Sequence, residues 1–330
     1  MSIIPVEVPT GAIRYNTDSN KMECFDGTKW WQVAVSSSDL NGGGRGLFMG
    51  GENPTRLNTI DYVTIATAGN ATDFGDLVDT RSNPAAFASS TRAICAGGET
   101  PSTVATIDYV TISSTGNAAD FGDLTAARKR LNQQSGSNQT RGLICGGNPD
   151  TNLVDYITIA STGDAVDFGG DLTSAGTWGG NATSPTRVII GGGFPSTTAN
   201  MQYVNIATTG VNFINFGELV DGLWGLSAAN NAVRGIWAGG LDPSAVTIIQ
   251  TMEMASLGNA INFGNLATAV AKHGSTTSPT RCITGGGDAS GATNAISYIS
   301  IATAGDSVDF GDLSAARQHV EATSNAHGGL

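Results

Sequence analysis

Residues 85–124 read AAFASSTRAICAGGETPSTVATIDYVTISSTGNAADFGDL. Four runs stand out within them: AAFASS (85–90), RAICAGG (92–98), IDYVTIS (107–113) and AADFGDL (118–124). Ile, Val, Tyr and Phe concentrate inside the runs, whereas Gly, Ser, Thr, Asn and Pro fill the breaks, which is the pattern of half-buried strands joined by tight connections. Four short strands in fewer than fifty residues form one small antiparallel sheet. Such a sheet buries neither face by itself and needs neighbours of the same kind.

Those neighbours are present in the sequence. An Arg followed five residues later by the first Gly of a Gly-Gly pair recurs at Arg45, Arg92, Arg141, Arg187, Arg234 and Arg281, at intervals of 47, 49, 46, 47 and 47 residues. The aromatic of an Asp/Asn-Phe-Gly triplet recurs in step at Phe74, Phe121, Phe168, Phe216, Phe263 and Phe310. A period of this length with four strands per unit is the signature of a β-propeller blade, so the expectation for residues 41–330 is an all-β, six-bladed ring of four-stranded blades.

The order of elements within a unit resembles the kelch repeat. In that repeat an apolar strand ends in Gly-Gly, a variable loop follows, the next strand carries a Tyr, and an aromatic strand completes the blade. Here the Gly pairs run from Gly50-Gly51 to Gly286-Gly287, and the Tyr stands at Tyr62, Tyr109, Tyr156, Tyr203 and Tyr298. The fifth unit carries Thr251 instead, and the outer aromatic is Phe in all six units where the kelch pattern has Trp, which marks a divergent relative. Before Arg45 the sequence SSSDLNGGG is too glycine-rich for a first strand, while residues beyond Arg317 continue where a seventh unit would begin. Residues near 318–326 are therefore expected to supply the first strand of blade one, closing the ring and covering an open sheet edge.

Composition narrows the function. Charged residues are only 13 % of the chain and the net charge is −12, so phosphate backbones and anionic lipid are repelled and nucleic acid is not an expected partner. No stretch has the length and hydrophobicity of a membrane span, and MSIIPVEVPTG lacks the basic start of a signal peptide. Four scattered cysteines, Cys24, Cys95, Cys145 and Cys282, are expected to be buried free thiols.

Residues 1–40 lie outside the repeat and read as a small β-hairpin segment: GAIRYN (11–16), a polar turn TDSNK (17–21), MECFDG (22–27) and TKWWQVAV (28–35). Its apolar and aromatic load demands a packing partner, because so small a hairpin is not stable alone. The stretch is similar to a short module found in tail-fibre and other virion proteins of tailed bacteriophages. The matching positions are Gly11, Ile13, Arg14, Tyr15, Asn16, Thr17, Glu23, Phe25, Asp26, Gly27, Thr28 and Trp30. The resemblance implies attachment or homo-oligomerisation through Ile13, Arg14, Tyr15, Phe25, Trp30 and Trp31, contact with other virion proteins, and residence in a virion assembled in the host cytoplasm.

Enzymatic motifs are weak. Six Asp-Phe-Gly triplets without a kinase catalytic loop read as strand ends. Asp pairs such as Asp73/Asp76 supply too few oxygens for calcium unless carbonyls and water complete the shell. His273, His319 and His327 lack metal-ligand spacing. No catalytic residue, metal ligand or cofactor is assigned, and an enzyme is not expected, although a spatially assembled triad stays open. Recognition is placed in the loops after the Gly pairs, where a rigid ring would hold six variable segments together. The candidates are Asn53, Arg56, Glu99, Asp150, Phe194, Asp242 and Asp288, and exposed Ser, Thr and Asn there suit glycan hydroxyls. The leading expectation is a tail fibre or tail-associated adhesin touching a host-surface glycan or protein. A capsid decoration or head-tail connector (collar) protein is the alternative, and a polysaccharide-acting enzyme a third.

Overall fold

The computed structural model describes residues 8–16, 21–32, 44–195 and 198–330. The chain divides into two compact units, Met1–Leu40 and Asn41–Leu330, each described by itself.

In the first unit Ile13–Asn16, Lys21–Phe25 and Trp30–Gln32 form a three-stranded antiparallel meander. The expected hairpin thus gains a third strand, because Asp26-Gly27 turns the chain back after Phe25. The Asp26 carboxylate accepts hydrogen bonds from the Lys29 and Thr28 amides, the Thr28 hydroxyl and the Trp31 indole, which hold it far below the usual carboxylate range. Arg14 pairs with Glu23 at 2.7 Å and lies over the Trp30 ring. The polar turn at 17–20 and the end of the third segment at 33–35 lie outside the described residues.

Among the described residues the second unit contains six four-stranded antiparallel sheets. The first sheet joins Glu321–Ser324 to Arg45–Met49, Thr59–Thr64 and Thr72–Asp76. The second is Ala85–Ala88, Arg92–Ala96, Thr106–Thr111 and Ala119–Asp123, which match the four sequence runs to within two residues at every end. The other four repeat this order, their first strands being Gly136–Ser137, Gly180–Thr183, Ser227–Asn230 and Gly274–Thr277. First strands touch first strands in cyclic order, the strand of the first sheet meeting those of both the second and the sixth, so the arrangement is propeller-like.

Burial follows from position. First strands converge on the axis and are built mostly from Ala, Gly, Ser, Thr and Asn, because space there is short, with Phe87 and Glu321 the larger members. Second strands are apolar on both faces because a sheet covers each face, while outer strands keep only their Phe inside. The C-terminal strand pairs Glu321 with Met49, Ala322 with Phe48, Thr323 with Leu47 and Ser324 with Gly46. The last strand in sequence therefore completes the first sheet, as the sequence required.

The periodic markers are inter-sheet fasteners. Each repeat Arg donates to a carbonyl of the next sheet: Arg92 to Ile159, Arg234 to Ile301, and Arg281 across the chain ends to Ile65. In five sheets the guanidinium also lies over the sheet's own Tyr, which meets the outer Phe edge-on. Gly97 has φ +60°, and a Cβ there would sit 2.6 Å from the Arg128 carbonyl, so only glycine allows the neighbouring backbone so close.

Among the described residues three interfaces contain a fully buried ion pair: Arg81 with Asp108 at 3.2 Å, Arg128 with Asp155 at 2.6 Å and Arg317 with Asp61 at 2.8 Å. The last pair joins the final repeat to the first. In the fourth and fifth sheets Gln202 and Gln250 take the Asp position and accept from the Thr173 and Val220 amides. The acid is thus present where an Arg faces it and absent where none does, as the cost of an unpaired buried charge requires.

Cys95, Cys145 and Cys282 are buried free thiols, and burial pushes Cys95 and Cys282 up to about 12. Cys24 departs from expectation and is only half-buried, because the small meander has too few residues to enclose it. Among the described residues no helix is long and apolar enough to cross a membrane.

Candidate functional site

Each first strand is preceded by one residue with φ between +54° and +63°: Asn83, Arg130, Trp178, Gly225, Lys272 and His319. They recur with the repeat and meet around the axis. Amide-to-carbonyl bonds run from Asn83 to His319, His319 to Lys272, Lys272 to Gly225, Gly225 to Trp178 and Trp178 to Arg130, at 2.6 to 3.3 Å. Five non-glycine residues in the left-handed region carry strain that the surrounding ring must hold in place.

Their side chains cover one end of the axis. Trp178 stacks on Trp224, with centroids 4.8 Å apart and planes at 17°, and Phe194 meets both rings edge-on. Trp178 also lies parallel to His319 at 6.3 Å and donates its indole N–H to Asn83 Oδ1 at 3.3 Å. These two partners belong to the first and second sheets, so Trp178 reaches across the axis from the fourth. Arg130 lies 4.7 Å from its ring centroid.

The other half of this end is charged. Glu99 pairs with Arg56 and Lys129, each at 3.0 Å, Lys272 pairs with Asp288 at 3.3 Å, and His319 Nδ1 lies 2.9 Å from Glu52 Oε1. Burial alone would raise the Glu99 carboxyl, but Lys129 and Arg56 outweigh it and hold the group low. Asp288 behaves likewise, with burial opposed by the Gly291 amide and Lys272. Burial, helped by Lys272, lowers His319 against the pull of Glu52.

The opposite end is closed differently. The C-terminal residues fold over it, with His327 Nε2 at 2.8 Å from the Ala88 carbonyl and the Gly328 amide donating to the Asn230 carbonyl. Between the two covers lies a polar cavity of about 50 Å³, crossed by Gln133, whose amide group bonds the Ser275 carbonyl and the Ala228 amide. That space has room for a water or two and is too small for a substrate.

The sequence candidates separate accordingly. Arg56, Glu99, Phe194 and Asp288 come together at the axial end. Asn53 is exposed and bonds the Ala316 carbonyl, and Asp150 and Asp242 are exposed in the loops of the third and fifth sheets. Residues 196 and 197 of the fourth loop lie outside the described residues. In the N-terminal meander Ile13, Tyr15 and Trp31 are exposed, at 64, 59 and 54 %, while Phe25 and Trp30 pack on each other at 5.3 Å. Sequence reading missed Trp178, Trp224, Arg130, Lys129, Lys272, Glu52 and His319. The signal was available, since the six positions before the first strands share the repeat's period yet carry six different residues.

Besides a long contact of Ser137 Oγ with His327 Nε2 at 3.4 Å, a close Ser-His contact forms between Ser227 Oγ and His273 Nε2 at 2.6 Å. Ser227 and His273 are both buried, His273 Nδ1 has no partner among the described residues, and burial lowers the imidazole to about 3. It lacks both the orienting carboxylate and the access that nucleophilic catalysis needs. No group of three or more His, Cys, Asp or Glu among the described residues is arranged to hold a metal ion. No protein-family model matches the chain, and no curated protein is significantly similar to it.

Proposed function

We propose that the chain is a bacteriophage virion protein, a tail fibre or tail-associated adhesin, whose kelch-like propeller of six blades presents its axial end to a host-surface glycan. The observation that carries this reading is the cluster of Trp178, Trp224 and Phe194 beside Arg130, Lys129, Glu99 and Asp288. Indole and phenyl faces stack on the C–H faces of sugar rings, and flanking charged groups hydrogen-bond hydroxyls and fix orientation. The N-terminal meander is the attachment segment of this reading, with Ile13, Tyr15 and Trp31 forming the apolar surface offered to a virion partner or to further copies of the chain.

Glycan-array binding by the full chain tests the proposal, with Trp224→Ala and Phe194→Ala as the informative variants because neither side chain caps the axis as Trp178 does. Each is expected to weaken binding by about tenfold or more, as loss of an aromatic anchor does. No glycan binding, or binding indifferent to both substitutions, refutes the site. Release of new sugar ends points instead to an enzyme. Loss of oligomerisation on removing residues 1–40 supports a fibre, and a monomer with or without them supports a decoration or connector.

A further inference from the structure

The fifth sheet breaks the repeat at one point. Thr251 pairs with Ile236 and Ile261 in the register that Tyr109 occupies against Ile94 and Ala119 in the second sheet. In the other five sheets this position places a phenol ring between the repeat Arg and the outer Phe. The ring lies 4.6 to 5.0 Å from the guanidinium and 5.6 to 6.3 Å from the Phe centroid. The fifth sheet keeps both neighbours, Arg234 and Phe263, and omits the ring. Arg234 is still anchored to the Ile301 and Ala302 carbonyls, each at 3.1 Å, so it has not collapsed into the space, and it turns its Nε to Glu253 at 3.3 Å. Thr251 is occupied with the Gly235 carbonyl.

The result is a pocket of about 380 Å³, lined by Arg234, Thr251, Glu253, Leu257, Ile261 and Phe263. The corresponding groove of the second sheet, walled by Tyr109, measures about 210 Å³. Leu257 and Ile261 at the rim are 58 and 65 % exposed.

We infer that this pocket binds a phenol ring, from a free small aromatic or from a tyrosyl side chain, in the place the missing tyrosine holds elsewhere. Arg234 covers one face of the bound ring as a cation–π partner, Phe263 meets it edge-on, and Leu257 and Ile261 enclose its rim. The hydroxyl points outward toward Glu253 and water. The inference is independent of the glycan reading, since the two sites share no residue.

The probes are p-cresol, N-acetyltyrosinamide and 4-methylcyclohexanol, titrated into the full-length protein and followed by NMR shifts of labelled Ile and Leu methyl groups. Saturable p-cresol binding is expected, with shifts at Ile261 and Leu257, and with affinity several-fold above the saturated alcohol, which has no π-face. Thr251→Tyr fills the pocket and is expected to abolish binding while leaving the melting temperature equal or higher, so its loss of binding is not a loss of fold. Equal affinity for N-acetyltyrosinamide identifies a tyrosyl segment as occupant, and binding of p-cresol alone identifies a free aromatic. Absence of saturable p-cresol binding, or binding that survives Thr251→Tyr unchanged, overturns the inference.

Discussion

Glu321 is a carboxyl group where the fold has no use for a charge. It sits in the closing strand opposite Met49, is fully buried, and neither carboxylate oxygen has a hydrogen-bond partner among the described residues. Burial raises its pKa well above the ordinary 4.5, so the folded protein holds a proton there that the unfolded chain releases. Wherever the folded state binds more protons than the unfolded one, stability falls as pH rises. The penalty begins near the unfolded value and grows by about 1.4 kcal/mol per pH unit until the folded pKa is reached. The buried histidines act in the opposite sense and in another window. Burial lowers His273 to about 3 and His327 to about 4, so they remove stability only below their ordinary 6.5. Above about pH 6.5, and up to the folded pKa of Glu321, that slope of about 1.4 kcal/mol per pH unit is therefore exposed. Glu321→Gln keeps the shape and removes the ionisation. Urea unfolding followed by tryptophan fluorescence should show the native protein losing stability over this range while the variant stays level, the gap widening with pH. Parallel profiles refute the argument, and so does a variant that becomes less stable than the native protein at the alkaline end.

Three other outcomes follow from the packing. Arg128→Ala leaves Asp155 buried without its cation and should lower unfolding stability by about 3 to 5 kcal/mol, measured by denaturant titration. Removing residues 320–330 uncovers the edge of Arg45–Met49 and the end of the axis. Melting should then occur at a markedly lower temperature, and an unchanged transition would show that the closing strand is dispensable. Gly97→Ala forces a side chain onto the Arg128 carbonyl at positive φ and should cost about 1 to 3 kcal/mol, whereas the same change at Gly210, where φ is +76° and a Cβ meets nothing within 4 Å, isolates the backbone contribution.

Much of the architecture was legible because it is local. Strand alternation in 85–124, the Gly pairs and the repeat Arg each act within one unit or between adjacent units, so a fixed period displays them six times. The C-terminal strand was legible for the same reason, being the missing piece of a counted pattern. In the N-terminal segment the dense aromatics and the third run, 28–35, were visible, whereas residue types alone do not announce that Asp26 gathers four donors into the turn between the last two strands.

What sequence alone determined, then, is the unit and the number of its copies, because hydrophobic alternation and turn chemistry are read over a few residues. What only the tertiary structure decided is what meets on the axis and what is missing at the rim. Trp178 lies against His319, 141 positions later, only because six first strands converge on one line and their preceding residues are forced inward together. Thr251 is an unremarkable residue until the same site in five other sheets holds a ring between Arg and Phe. Contacts across a ring depend on closure, and closure is a property of the whole chain.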